Sequence, residues 1–315
     1  QTTSTMSAER DAEVLNKAFK GLGMDEKTLI NMLTHRNVNE LQEINRAYKG
    51  NFGKSLEEKI EISTNFYKDV SDSTSLLLFS PAEYDAKLLN DAMKGVGTDE
   101  DLLIQVLAGR TNVEVEAIKA AYSHVYGKDL EKAVMSEVGG DLRKFFVAML
   151  QARRDEEGAG RNVAEDVKEL YEAGEGKIGT DESKFIQVIA NRAPSHVQAV
   201  IRQYALTYGH DITHAIRHEL SGDLKRALTT AVKRLADPAD YYAEMFEKSM
   251  AGLGTKDEML VRLLVRTRYP QVSCLMSAVK EAYLKRYGKT LAKRVSGETS
   301  GDYKKLAVAI IEVAP

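Results

Sequence analysis

A glycine-bracketed turn recurs four times along the chain, and no other feature restricts its architecture as much. The copies are Phe19-Lys20-Gly21-Leu22-Gly23-Met24-Asp25-Glu26, Met93-Lys94-Gly95-Val96-Gly97-Thr98-Asp99-Glu100, Gly176-Lys177-Ile178-Gly179-Thr180-Asp181-Glu182 and Met250-Ala251-Gly252-Leu253-Gly254-Thr255-Lys256-Asp257. Their second glycines fall at 23, 97, 179 and 254, so a unit of roughly 70 to 80 residues repeats through the 315-residue chain. Length alone would suggest about two domains, but a period of this kind marks an array of similar units.

Each turn joins two helices. Before the first copy, Ala12, Leu15, Ala18 and Phe19 follow helical spacing, and Gly21 stops the helix as a C-terminal glycine does. After the turns, Thr98 precedes Asp99, Glu100 and Asp101, and Thr255 precedes Asp257 and Glu258, which predicts a threonine N-cap with acids at the positive end of the helix dipole. Leu102, Leu103, Val106 and Leu107, and later Phe185, Ile186, Val188 and Ile189, give the next helix one apolar face. Arg36, Arg110 and Arg192 are each followed 17 residues later by a glycine, at 53, 127 and 209, which encloses a third helix. Ten residues beyond Gly127, Gly209 and Gly288 stand Glu137, Glu219 and Glu298, each opening a Glu-x-(Ser/Gly)-Gly-Asp pattern. The acids Asp141, Asp223 and Asp302 that close it read as N-caps of a last helix. The expectation is an all-α chain of four homologous repeats of five short helices, at 9–80, 81–153, 166–238 and 239–315. A short polar tail covers 1–8, and a charged, glycine-bearing linker covers 154–165, where two pairs of repeats are expected to meet.

Lys and Arg number 44 against 47 Asp and Glu, a net charge of −3, so no global field draws the chain to nucleic acid or an anionic surface. Affinity for phosphate has to come from a local device. No run of ~18 apolar residues offers a membrane span. The single cysteine, Cys274, has no intramolecular disulfide partner and reads as buried and inert, and the first residues lack a signal-peptide pattern. A reducing, cytoplasmic setting is expected.

A glycine turn ahead of a helix serves either phosphate or a cation. A phosphate loop follows a strand and carries Gly-Lys-Ser/Thr, whereas these turns follow helices and carry no such motif. Carbonyl oxygens pointing outward instead suit Ca²⁺, and positive φ requires the glycines. A carboxylate must come from elsewhere. Glu137 and Glu219 stand 40 residues after Gly97 and Gly179, and Glu298 stands 44 after Gly254, with the extra residues around Arg268-Tyr269-Pro270-Gln271. In the first repeat that position is Ser63, and Met24 replaces the threonine, so no strong site is expected there.

These paired marks, the K-G-x-G-T turn and the distant acid, resemble the annexin core from about Asp11 to the end of the chain. The resemblance implies a curved disc of helices with calcium loops on its convex side, and a non-enzymatic, Ca²⁺-dependent binder of acidic phospholipid. The implied ligands are the carbonyls of Met93, Gly95 and Gly97 with Glu137, of Gly174, Lys177 and Gly179 with Glu219, and of Met250, Gly252 and Gly254 with Glu298. Val96, Ile178 and Leu253 at the tips are expected to touch the acyl boundary, and Lys94 and Lys177 to meet headgroup phosphates. The expected partner is a membrane with phosphatidylserine-like headgroups, for a protein monomeric in solution and able to self-associate on lipid.

Two rival readings are an ion-conducting protein, with Asp85 and Arg110 lining its path, and a calcium-independent scaffold for cytoskeletal or signalling partners. His210, His214 and His218 share one helical face, a spacing that suits a transition metal or a pH sensor but is met more often on a solvated helix. Tyr122, Tyr126, Tyr204 and Tyr208 recur at matching positions and read as packing.

Overall fold

A computed structural model describes residues 2–20, 24–63, 77–157, 161–268 and 275–313. All regular structure among the described residues is helical. The first period contributes α1 (Thr2–Ala18), α2 (Glu26–His35), α3 (Val38–Phe52) and α4 (Leu56–Ser63). The second contributes α5 (Pro81–Ala92), α6 (Glu100–Leu107), α7 (Asn112–Tyr126), α8 (Leu130–Glu137) and α9 (Gly140–Leu150). The third contributes α10 (Val163–Ala173), α11 (Glu182–Asn191), α12 (Pro194–Tyr208), α13 (Ile212–Glu219) and α14 (Gly222–Ala236). The fourth contributes α15 (Pro238–Met250), α16 (Asp257–Arg268), α17 (Leu275–Tyr287), α18 (Leu291–Glu298) and α19 (Gly301–Val313).

Local chemistry explains the starts and stops, with two corrections to the expected caps. At the first three turns the cap is aspartate, not threonine, with Asp99 accepting from the Leu102 N–H, Asp181 from Ser183 and Asp25 from Thr28, and in the fourth the helix begins at Asp257 with Lys256 before it. The threonine one residue earlier is thereby left free for another partner. Asp141, Asp223 and Asp302 are not caps either. The helices begin one residue before them, so they lie in the first turn, where Asp141 pairs with Lys144 at 2.8 Å and Asp302 with Lys305 at 2.7 Å. The third helices end as glycine predicts, with Gly53, Gly127 and Gly209 in the left-handed region. The expected tail at 1–8 also differs. Helix α1 starts at Thr2, and its buried stripe of Ala8, Ala12 and Leu15 begins a turn earlier than the sequence pattern suggested.

The chain packs as two compact units, one formed by 1–81 with 239–315, the other by 82–238. Within 82–238 a continuous apolar core includes Leu103, Leu107, Phe145, Phe146, Phe185 and Leu228. Each such side chain contributes about 1.5–3 kcal/mol on burial. The periods therefore group second with third and first with fourth. The segment expected as a linker lies inside a unit. Arg154 is buried and donates to the carbonyls of Ile189 at 3.1 Å and Arg192 at 2.8 Å, and Asn112 brackets its backbone. A charged stretch read as a linker thus straps two repeats together through Arg154; residues 158–160 lie outside the described ones.

The recurring arginine has a structural task. Arg36 bonds Asp11 at 2.8 Å, Arg110 bonds Asp85 at 2.7 Å and Arg192 bonds Asp166 at 3.0 Å. Each pair ties the helix after a glycine turn to the helix before it, so the ends of the turn are fixed.

Candidate functional site

Every turn closes the same backbone ring. The N–H of Asp99 donates to the Ala92 carbonyl at 2.9 Å, Asp181 to Ala173 at 2.8 Å, Lys256 to Ser249 at 2.8 Å and Asp25 to Ala18 at 2.9 Å. In the second, third and fourth turns the residues between are forced outward as a loop. Gly95 (φ 109°), Gly97 (89°), Gly179 (81°), Gly252 (112°) and Gly254 (86°) sit where side chains are strained, although nothing lies within 4 Å of a Cβ built there. Backbone conformation, not crowding, requires those glycines. Gly174 is the opposite case: a Cβ there would lie 3.0 Å from Glu219 Cγ and 3.2 Å from Phe185 Cζ. Loop backbone and carboxylate stem meet with no room for a side chain between them.

The three acids are the last residues of α8, α13 and α18, where the negative end of the helix dipole adds to their charge. The freed threonines reach them. Thr98 Oγ1 donates to Glu137 Oε2 at 2.9 Å, Thr180 Oγ1 to the Glu219 carbonyl at 3.0 Å and its Oε2 at 3.3 Å, and Thr255 Oγ1 to the Glu298 carbonyl at 3.4 Å. The structure thus brings Glu137 to the 93–97 turn, Glu219 to the 174–179 turn and Glu298 to the 250–254 turn. Sequence reasoning missed this use of the threonines, whose signal was their presence in three turns and replacement by Met24 in the first. Val96, Ile178 and Leu253 are fully exposed at 111%, 105% and 110%, apolar side chains that touch nothing in the chain. Lys94 and Lys177 are exposed beside them.

The loops are not identical. The third is one residue longer between its closing partners, and its Gly174 carbonyl accepts from the Lys177 N–H at 3.1 Å. In the fourth, Arg294 Nη1 pairs with Glu298 and Nη2 donates to the Met250 carbonyl at 2.6 Å, while Nε reaches Glu247 at 3.3 Å. A guanidinium is thus bonded to two of the four oxygens expected to hold a cation. Gly21, Leu22, Gly23 and 64–76 of the first repeat lie outside the described residues, as does Cys274. The tyrosines pack as expected: Tyr122 and Tyr204 are buried, with rings 4.9 and 4.8 Å from Tyr126 and Tyr208.

Each loop supplies oxygen only, from carbonyls and one carboxylate, which is the donor set of a hard divalent cation and fits Ca²⁺. Helical repeats whose second, third and fourth turns are each tied to a helix-end acid define a protein of oxygen-lined loops. The chain belongs to the annexin family, whose pattern matches residues 10–66, 84–149, 165–231 and 241–310. Annexin A13 of Homo sapiens is 42% identical over 307 residues, 96% of this chain and 95% of that protein. Among solved structures, annexin III superimposes with a TM-score of 0.89 at 32% identity, covering 96% of this chain and 93% of the other. Calcium-bound annexin (Sm)1 does so with a TM-score of 0.83 at 31% identity, covering 99% and 91%. Annexins are an all-α, calcium-dependent membrane-binding family, not an enzyme family.

Proposed function

We propose that this protein attaches reversibly to acidic phospholipid surfaces when Ca²⁺ rises, through its turns at 93–97, 174–179 and 250–254. The observation that carries the reading is the threonine tie, which couples each turn to an acid about 40 residues away beneath a fully exposed apolar tip. The ion would be held by the carbonyls of Met93, Gly95 and Gly97 with Glu137, of Gly174, Lys177 and Gly179 with Glu219, and of Met250, Gly252 and Gly254 with Glu298. When bound, calcium supplies positive charge and coordination positions that lipid phosphate oxygens can fill. The chain's own part is to hold the oxygens outward, to offer Lys94 and Lys177 to headgroup phosphate, and to place Val96, Ile178 and Leu253 at the acyl boundary.

One carboxylate per loop leaves each site weak, toward ~10⁻⁴–10⁻³ M. Several weak bridges from one chain raise apparent affinity by about 10²–10⁴ without any new contact. On this reading the protein is a cytoplasmic monomer that moves to phosphatidylserine-rich membranes with calcium. The conduction reading has less support: Asp85 and Arg110 are locked together at 2.7 Å, with side chains 4% and 2% exposed. No helix among the described residues is long and apolar enough to cross a membrane. Co-sedimentation with phosphatidylserine vesicles, with phosphatidylcholine vesicles as control, tests the proposal. Pelleting is expected only with Ca²⁺ and only on the acidic lipid, with release on chelation. Pelleting that persists in chelator would favour the scaffold reading.

A further inference from the structure

We propose that Glu175, His210 and His214 form a site for a divalent transition metal, zinc being the natural occupant by ligand chemistry, beside the turn of the third repeat. Glu175 Oε1 lies 3.3 Å from His210 Nε2 and 3.8 Å from His214 Nδ1, and the three ligand atoms all fall within 4.8 Å of one another. Tetrahedral zinc with bonds near 2.0–2.1 Å separates its ligand atoms by about 3.3 Å. Two edges of the triangle are therefore close to the required length, and a small rotation of exposed imidazoles closes the third.

The cluster is built by supporting contacts. His210 Nδ1 lies 3.4 Å from the Asp211 carbonyl, a hydrogen bond that only the Nδ1–H tautomer makes, which leaves the Nε2 lone pair facing Glu175. The fully buried Tyr204 donates its hydroxyl to Glu175 Oε2 at 2.6 Å and so turns Oε1 toward the histidines. Asp211 caps α13, accepting from the His214 N–H at 3.2 Å, and fixes the backbone between the two rings. The His214 ring lies between those of His210 and His218, tilted by 39° to each, with centroids at 4.6 and 4.3 Å. Two neighbouring imidazoles sharing one carboxylate oxygen do not form a good double ion pair, because two positive charges at that separation repel. A single cation between the three atoms removes the conflict. Two nitrogens and one carboxylate oxygen suit zinc, copper or nickel rather than calcium, and the opening on the His214 side, where the side chain is half exposed, leaves room for a water as fourth ligand.

The site shares no ligand with the proposed calcium loops, so neither reading depends on the other. Cobalt(II) is the probe, added to the full chain with Ca²⁺ in excess to fill the oxygen loops. The expected result is a visible tetrahedral ligand-field band that saturates at one equivalent and disappears when zinc is added. The His210→Ala/His214→Ala variant should lose the band while retaining helical circular dichroism and calcium-dependent vesicle binding. His214→Gln, at a half-exposed position, should lose it too, which covers misfolding of the double variant. Tyr204→Phe should keep the band and weaken metal affinity by roughly 10- to 100-fold, as loss of a supporting hydrogen bond does. Absence of a band in the wild type, or an unchanged band in either histidine variant, overturns the assignment.

Discussion

Arg294 stands four residues before Glu298, where the second and third repeats carry Ala133 and Ala215. Its guanidinium is bonded to Glu298 and to the Met250 carbonyl, so a cation entering the fourth loop has to displace an internal one. Charge-assisted hydrogen bonds are worth about 1.5–3 kcal/mol, less where water screens them, and Arg294 is partly exposed. In a background of Glu137→Gln and Glu219→Gln, which leaves only the fourth loop intact, Arg294→Ala is expected to lower the Ca²⁺ midpoint for vesicle binding by roughly tenfold or less. An unchanged or higher midpoint would show that the arginine organises the loop instead of competing for it. Neither Arg294 nor Glu175 was legible as a special residue, because each occurs once and finds its partner only through folding. Glu137, Glu219 and Glu298 were legible because their spacing repeats.

At the scale of elements, Asp166 ties α10 to Arg192 at 3.0 Å and to His196 at 2.7 Å, with side chains nearly inaccessible. Burial alone would push its carboxyl up. The hydrogen bonds from Arg192 and His196 outweigh that and hold it below the usual carboxylate range. A depressed folded value means the stabilisation is present above the ordinary pKa near ~4 and is lost as pH falls through the folded one. Asp166→Asn is expected to destabilise by about 3–5 kcal/mol at neutral pH, since it strands a buried guanidinium. The gap from wild type should narrow in thermal melts below pH ~4. A gap that stays constant down to pH ~3 would show that the carboxylate charge contributes nothing. Helix positions followed from periodicity, but the caps did not: the closed ring of the second and third turns puts aspartate at the cap and frees threonine for the distant acid. The 154–165 stretch misled for a related reason. Its charge signals solvent, yet Arg154 is buried against helix-end carbonyls, and burial pulls its guanidinium down to about 10.

For the whole molecule, the period of the glycine turns was enough to fix an all-helical array, since each unit has one apolar stripe per helix and buries it only against neighbours. Which repeats pack together was not legible. The grouping of first with fourth depends on contacts between segments far apart in sequence, such as Arg268 donating to the Arg36 carbonyl at 2.7 Å, and no local pattern encodes them. Under the proposed function each loop is weak alone and attachment arises from several loops acting multivalently on one chain. The most direct test is a Ca²⁺ titration of phosphatidylserine-vesicle binding for wild type, each single Glu→Gln variant at 137, 219 and 298, and the triple variant. Each single change is expected to raise the midpoint, and the triple variant to stay in solution at calcium levels that pellet wild type. A triple variant that binds at the wild-type midpoint would contradict this expectation and leave the loops as helix joints.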